Sequence, residues 1–240
     1  MTQPLYQQIA DRLRSELAGG VYRTGEQLPT ENELAAQLGV SRPTVRQALE
    51  VLTKEGLLVR VKGSGTFAAE PKVVHASTSF ISGYREECRK KRRTLRTKVL
   101  CLEIEEPEDH VSEALRLEPE REVTRLTRVR HLENVNGNAP VVYTTVYVPL
   151  DLFPDMCRMD FTDASFYEAL DRQGLSVVRA SRRLEVVMPP AGTAEELGIG
   201  PFEPAVFIAS TGYTKLGQAV EYSESYYPAS RSSFQIEIRR

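Results

Sequence analysis

The chain has 240 residues, 41% of them hydrophobic, and a formal net charge of −2. That is enough apolar material for one large or two small cores, and no apolar run approaches the length of a membrane span. Cys88, Cys101 and Cys157 form no CxxC pair, and the three histidines are scattered. This spacing points to no metal site and no disulfide framework, no cofactor loop is visible, and a reducing cytoplasm fits best. Met1–Pro4 runs directly into an amphipathic segment, so no signal peptide is expected.

The charge is unevenly spread. Residues 1–84 carry nine basic and eight acidic side chains, 85–98 carry eight and two, and 99–240 carry fourteen and twenty-three. Any affinity for nucleic acid must therefore come from a local arrangement of cations, with the acidic C-terminal half held away from the duplex.

Leu5, Ile9, Leu13 and Leu17 recur every four residues, which predicts an amphipathic helix over Pro4–Ala18, ended by Gly19-Gly20. The loop VYRTGEQLP then leads to TENELAAQLGVSRPTVRQALEVLTKEGLLVRVKGSGTFAA, residues 30–69. Thr30 with Glu33 three residues on makes a capping box. Leu34 and Leu38 share one face, and Gly39 stands where a helix usually ends in a left-handed residue. Val40 is the turn. Ser41 caps a second helix, and Pro43 fits its first turn, where a missing N–H costs little. That helix turns Val45, Ala48, Leu49 and Leu52 inward and offers Arg42, Thr44, Arg46 and Gln47 on its opposite face. Gly56 ends it. LLVRV and TFAA are β-like runs joined by Lys62-Gly63-Ser64-Gly65.

Helix, tight turn, second helix and glycine-tipped hairpin is the plan of a winged helix-turn-helix, whose second helix enters the DNA major groove. An ordinary helical hairpin with solvated arginines is the alternative. The stretch resembles the DNA-binding domain of the GntR family of bacterial transcription regulators over nearly all of residues 4–69. The resemblance implies a homodimeric, ligand-controlled regulator, usually a repressor. Arg42, Thr44, Arg46 and Gln47 are then candidate contacts to bases or phosphates. Lys62, Gly63 and Ser64 are candidate wing contacts, and Thr30 and Ser41 cap helices whose N-termini can meet phosphates.

After the hairpin, residues 71–79 read as a linker, with the polar run HASTS at 75–79. Phe80 to about Lys91 has helical character and runs into RKKRRTLRTK. That cluster is a second phosphate contact, a docking surface or simply a solvated charged turn. From Thr97 the pattern changes. KVLCLEIEE, VTRLTRVRHLE, PVVYTTVYVP, LSVVRASRRLEVV, AVFIASTGYTK and QAVEYSESYYP are strand-like, with a hairpin at residues 134–138 and a turn at Leu216-Gly217. Helices are expected near Glu108–Leu115, Ala164–Gln173 and Ala191–Leu197. Strands joined by short turns, with helices to the side, argue an α+β domain on an antiparallel sheet. TRLTRVRHLENVNGNAPVVYTTVYVP and ASFYEALDRQG resemble the UTRA-type effector domain of the HutC subfamily, similar in fold to chorismate lyase, over roughly residues 76–238. The expected organisation is 1–70 DNA-binding, 71–79 linker and 80–240 effector-binding and dimerisation.

Residues two apart in a strand point the same way, so Arg128 and Arg130 share a face with Leu126 and Leu132. Two arginines on an apolar face are costly unless an anion meets them, and their forks suit phosphate or carboxylate. The resemblance implies the same role for both. Salt bridges to Glu185 or Glu221 are the structural alternative. Ser165-Phe166-Tyr167 opens a helix and matches the family's second ligand-binding segment. Phe80 and Ile81 match a segment lying over the ligand, and Glu221 and Tyr227 match polar contacts near the last strands. For Phe80 and Tyr167, plain core packing is the alternative. Many relatives carry glutamate, available to sugar hydroxyls, where Thr144 stands, and that departure counts against a sugar effector; the expected effector is a small anion, a phosphorylated sugar, an amino acid or an organic acid. Many also carry arginine at Pro228 and an acid at Ser230.

An enzyme is the competing class, because the C-terminal fold is shared with a lyase. The sequence shows no nucleophile–base pair, no metal ligands and no cofactor loop. The expectation is a cytoplasmic repressor, not an enzyme, with double-stranded operator DNA as partner and no membrane contact.

Overall fold

A computed structural model describes residues 3–61, 63–69, 72–76, 88, 94–133 and 138–235. The chain divides into two compact units, Met1–Lys72 and Val73–Arg240.

In the first unit α1 spans Leu5–Ala18, α2 spans Glu31–Leu38 and α3 spans Arg42–Lys54. The four-residue stripe of α1 is buried at Ile9 and Leu13, while Leu5 at its start stays 52% exposed. Ile9 and Leu13 pack with Leu34 of α2 and with Val45, Leu49 and Leu52 of α3. The capping box is complete. Glu33 N–H donates to Thr30 Oγ1 at 3.3 Å and Thr30 N–H donates to Glu33 Oε2 at 2.7 Å. Gly39 takes the left-handed conformation, φ 65°, that closes α2 and turns the chain into α3. Ser41 occupies the N-cap position of α3, but its hydroxyl pairs with Thr44 Oγ1 at 2.7 Å and caps no backbone N–H.

Strands β1, Leu58–Val61, and β2, Gly65–Ala68, pair antiparallel to form the wing. Gln27 fastens it by donating from Nε2 to the Ser64 carbonyl at 2.8 Å. Gly65 has φ +131°, a conformation that demands glycine, and a Cβ there would also push the Gln27 amide, 2.5 Å away, off its bond.

The second unit is built on a six-stranded antiparallel sheet of order β4-β5-β6-β9-β8-β7. The strands are β4 Leu95–Glu105, β5 Val123–Leu132, β6 Pro140–Pro149, β7 Arg179–Val187, β8 Ala205–Tyr213 and β9 Ala219–Pro228. On one face α4, Asp109–Leu115, buries Val111 and Leu115 against Val123, Phe207 and Tyr222. The other face carries α5, Phe166–Arg172, and a short 3-10 turn, Met156–Arg158. Phe153, Met156, Phe161, Phe166 and Leu170 pack there on Leu126, Val146 and Val148. Helix α6 spans Ala191–Leu197, and its last carbonyl accepts from Arg231 Nη2 at 2.7 Å.

One expectation changes here. Val73–Ala76, within the stretch read as linker, is strand β3, paired in parallel with β10, Ser232–Gln235. Val73 is buried with Leu132, Val141 and Val142, and that packing holds the segment in the second unit. The helix expected at 80–91 and the hairpin tip at 134–137 lie outside the described residues, apart from buried Cys88.

Candidate functional site

Two clusters of arginine stand out, one in each unit. In the first, the start of α3 exposes Arg42, Arg46 and Gln47, with Thr44 half-buried among them. Glu31, the first residue of α2, ties this surface together. Its carboxylate accepts from Arg42 Nε at 2.9 Å, from Arg46 Nη2 at 3.1 Å and from Arg60 Nη2 on β1 at 3.4 Å. The bond from Arg46 holds the Glu31 carboxyl below its ordinary range; partial burial opposes this and the bond from Arg42 supports it. Three cations meet the Glu31 carboxylate, with Glu50 on the same surface, and the guanidinium groups are held in place. In the wing, Gly63 has φ 81°, and Gly63 and Ser64 are exposed. Lys62 lies outside the described residues. Sequence reasoning missed Glu31 and Arg60, because the contacts join residues 11, 15 and 29 positions apart.

In the second unit a pocket lies over the α5 face of the sheet, with about 930 Å³ of atom-free space including its mouth. Strand register explains who lines it. One row across the sheet runs Leu126, Val146, Ser223, Ser210, Arg182, and the next runs Arg128, Thr144, Ser225, Ile208. Thr97 and Arg130 are paired one step further along β4 and β5. Ser165, Phe166 and Tyr167 at the start of α5 form one side, while His75 of β3, Phe234 of β10 and Tyr227 of β9 form the other. Those three rings pack together, His75 lying 5.0 Å from Phe234 and 4.7 Å from Tyr227 between centroids.

The pocket thus brings together Arg128, Arg130, Thr144, Ser165, Phe166, Tyr167 and Tyr227 of the sequence candidates. Arg128 is only 3% exposed, and its guanidinium carbon sits 5.8 Å from the ring centres of both Phe161 and Phe166. The glutamates weighed as its ion-pair partners bond other groups. Glu185 accepts from Arg183 at 2.9 Å, and Glu221 accepts from Tyr167 Oη at 3.2 Å. Glu221 departs from its expected place. It is buried behind the wall, reaching the pocket through Tyr167 instead of lining it. Burial pushes its carboxyl up to about 7, against the opposing pull of Tyr167, Ser223 and Arg182. Burial, with Glu221 beside it, also pushes the Tyr167 phenol upward. Gly212 makes room for this pair, because a Cβ there would lie 2.6 Å from Glu221 Oε1. Phe80 and Ile81 lie outside the described residues.

Sequence reasoning missed Arg182, the hydroxyl row of Ser210, Ser223 and Ser225, and the ring pair His75 and Phe234. In RASRRLEVV alternation alone leaves two ways to face the strand. The serines become a floor only when β8 and β9 are placed in register. Among the described residues no cluster of His, Cys, Asp or Glu suits a metal ion.

Comparison with known proteins agrees with this division. Residues 5–68 match the gntR family of bacterial regulatory proteins, and residues 90–233 match the UTRA domain. The chain belongs to the GntR family. It carries the UTRA domain of the HutC branch, and members of this family are transcription regulators, not enzymes. It is 31% identical to the HTH-type transcriptional repressor NagR of Bacillus subtilis, covering 96% of this chain and 93% of that one. It is 29% identical to the mannosyl-D-glycerate transport/metabolism system repressor MngR of Escherichia coli, covering 99% and 97%. The crystal structure of PhnF from Mycobacterium smegmatis has the same fold, with a TM-score of 0.77, 24% identity, and coverage of 96% of this chain and 98% of that one. GntR helix-turn-helix regulators bind DNA, and UTRA domains bind small-molecule effectors. No described helix is long and apolar enough to cross a membrane.

Proposed function

We propose that this chain is a homodimeric repressor that holds a palindromic operator and releases it when a small anionic metabolite enters the UTRA pocket. The observation that carries the reading is the burial of Arg128, with Arg130 beside it, in a pocket that also offers Ser165 and the Ser225–Thr144 hydroxyls. Two guanidinium forks turned into one partly dry site suit a carboxylate or phosphate, which accepts charge-assisted bonds from them. Mannosyl-D-glycerate, named for the E. coli relative, carries a carboxylate and fits this class.

On the DNA side, Arg42 and Arg46 read base edges or phosphates, Thr44 and Gln47 support them, and the wing residues Lys62, Gly63 and Ser64 touch the backbone. Thr30 and Ser41 bring two helix N-termini toward phosphates. One reading helix per chain covers one half-site, so two copies and an inverted repeat are needed. Effector binding shifts the balance between dimer geometries only by its differential affinity for them. Such a regulator works beside the chromosome, in the cytoplasm.

A thermal-shift screen of phosphorylated sugars, amino acids and organic acids, followed by gel shifts on a full and a half operator, tests the reading. An anionic hit that releases the full site, together with much weaker binding to the half-site, supports it. Equal affinity for half and full sites refutes the dimer, and hits confined to neutral or cationic compounds refute the anionic pocket.

A further inference from the structure

We propose that two copies of the chain join through strand β7, whose outer edges pair antiparallel about Leu184 and continue one effector sheet into the other. The inference deepens the homodimer reading and rests on it.

An open sheet edge is a template for another strand, and proteins blunt the edges they do not use. The six-stranded sheet has two edges, β4 and β7. Strand β4 is blunted. A bulge breaks its register between Val99 and Cys101, and its Lys98 and Glu105 are tied to Glu196 and Arg125 of the same chain. Strand β7 is regular, matched to β8 without a break from Arg179 opposite Tyr213 to Val187 opposite Ala205. Among the described residues no strand pairs with its outer side. Along that edge and just past it, Leu184, Val186 and Met188 are 42%, 72% and 53% exposed. Exposed apolar runs of this kind mark interfaces.

The neighbouring strands decide which backbone groups face out. Thr214 N–H donates to the Gln218 carbonyl and Ala229 N–H to the Pro204 carbonyl, so the even-numbered residues of β8 bond β9. Its odd-numbered residues bond β7, opposite Arg179, Ser181, Arg183, Glu185 and Val187. Leu184 and Val186 therefore turn their N–H and C=O groups outward.

A two-fold contact is self-matching, with residue i on j and j on i, and charge chooses its register. Of the registers that centre on residues 182–186, those on Arg182, Arg183 or Glu185 set like charges face to face, which destabilises a strand pair. Centring on Val186 sets Glu185 opposite Val187 and Arg183 opposite Pro189. Centring on Leu184 sets Arg183 of each copy opposite Glu185 of the other, with Leu184 against Leu184 and Val186 opposite Arg182. Arg183 and Glu185 then occupy the non-hydrogen-bonded positions, where facing side chains come closest. Within one chain these two bond each other at 2.9 Å, and pairing exchanges that bond for one across the seam.

Sedimentation equilibrium on the full chain tests the seam with two charge variants. Glu185→Arg leaves only cations at these positions and Arg183→Glu only anions, so each alone should dimerise about ten-fold or more weakly than wild type. Mixed in equal amounts they should recover, because every facing pair is then opposite in sign, and a gain on mixing cannot come from repair within one chain. Val186→Lys, which sets a lysine against Arg182, should also weaken the dimer about ten-fold and is a second handle if circular dichroism shows a charge variant to be poorly folded. A mixture as weak as its components, or folded variants that dimerise as tightly as wild type, refutes the β7 seam and leaves the homodimer standing. A wild type that stays monomeric at every concentration reached removes the homodimer, and the seam with it.

Discussion

Replacing Glu221 by Gln should change how the effector unit responds to pH, and the sign is fixed by the structure. Burial raises the Glu221 carboxyl from 4.5 to about 7 in the folded chain. Between those values the folded state holds a proton that the unfolded state has released. Stability from this group is therefore fully present below about 4.5 and is lost as pH rises toward 7. The rise corresponds to roughly 3 kcal/mol. For a unit of this size 1 kcal/mol moves the midpoint by about 2–4 °C, so the swing is about 6–12 °C. Gln keeps an acceptor for Tyr167 and has no proton to lose. Thermal melts of wild type and Glu221→Gln at pH 5 and pH 8 measure the swing as a difference between the two proteins, which cancels the pH response of other groups. The wild type should lose most of that difference by pH 8. Parallel pH profiles for the two proteins would refute the claim that Glu221 is buried and still holds its proton well above pH 4.5.

Gly212→Ala should act on the same pair, because its Cβ would fall 2.6 Å from Glu221 Oε1 and 3.0 Å from Val177 Cγ1. Overpacking of this kind costs about 1–3 kcal/mol, and a melting temperature equal to wild type would show that the sheet makes room. Arg46→Ala should cost about 1–3 kcal/mol in operator binding and relax discrimination; an unchanged ratio of operator to random DNA, measured by fluorescence anisotropy, would remove Arg46 from base reading. Glu31→Gln should weaken discrimination without unfolding the chain, because it loosens Arg42 and Arg46 together; unaltered discrimination would make that network incidental.

Much of the fold was legible because local and global signals agree. The capping box at Thr30 and Glu33, the glycine at 39 and the inward set Val45, Ala48, Leu49 and Leu52 each act within one turn or one helix. The sequence predicts strand β6 at Pro140–Pro149, the bounds it has, because a proline stands at each end of a run rich in β-branched residues. The pairing of β3 with β10 was not legible. Each is four residues long, and they meet across more than 150 positions. Of the pocket, Arg128 and Arg130 could be read from a two-residue period on an apolar face. Arg182 could not, because its face is decided by β7 pairing with β8 as the sheet edge. Nor could the retreat of Glu221 behind Tyr167, which follows from the space left over Gly212.

The central claim is that an anion held by Arg128 and Arg130 releases the operator. It is tested most directly by titrating the effector found in the thermal-shift screen into preformed complexes of operator with wild type, Arg128→Ala and Arg130→Ala, after circular dichroism has shown all three to be folded. Each variant should bind operator much as wild type does and need about ten- to a hundredfold more effector for release, the loss of roughly 1.5–3 kcal/mol expected for one charged hydrogen bond. Folded variants that release operator at the wild-type effector concentration would contradict the account.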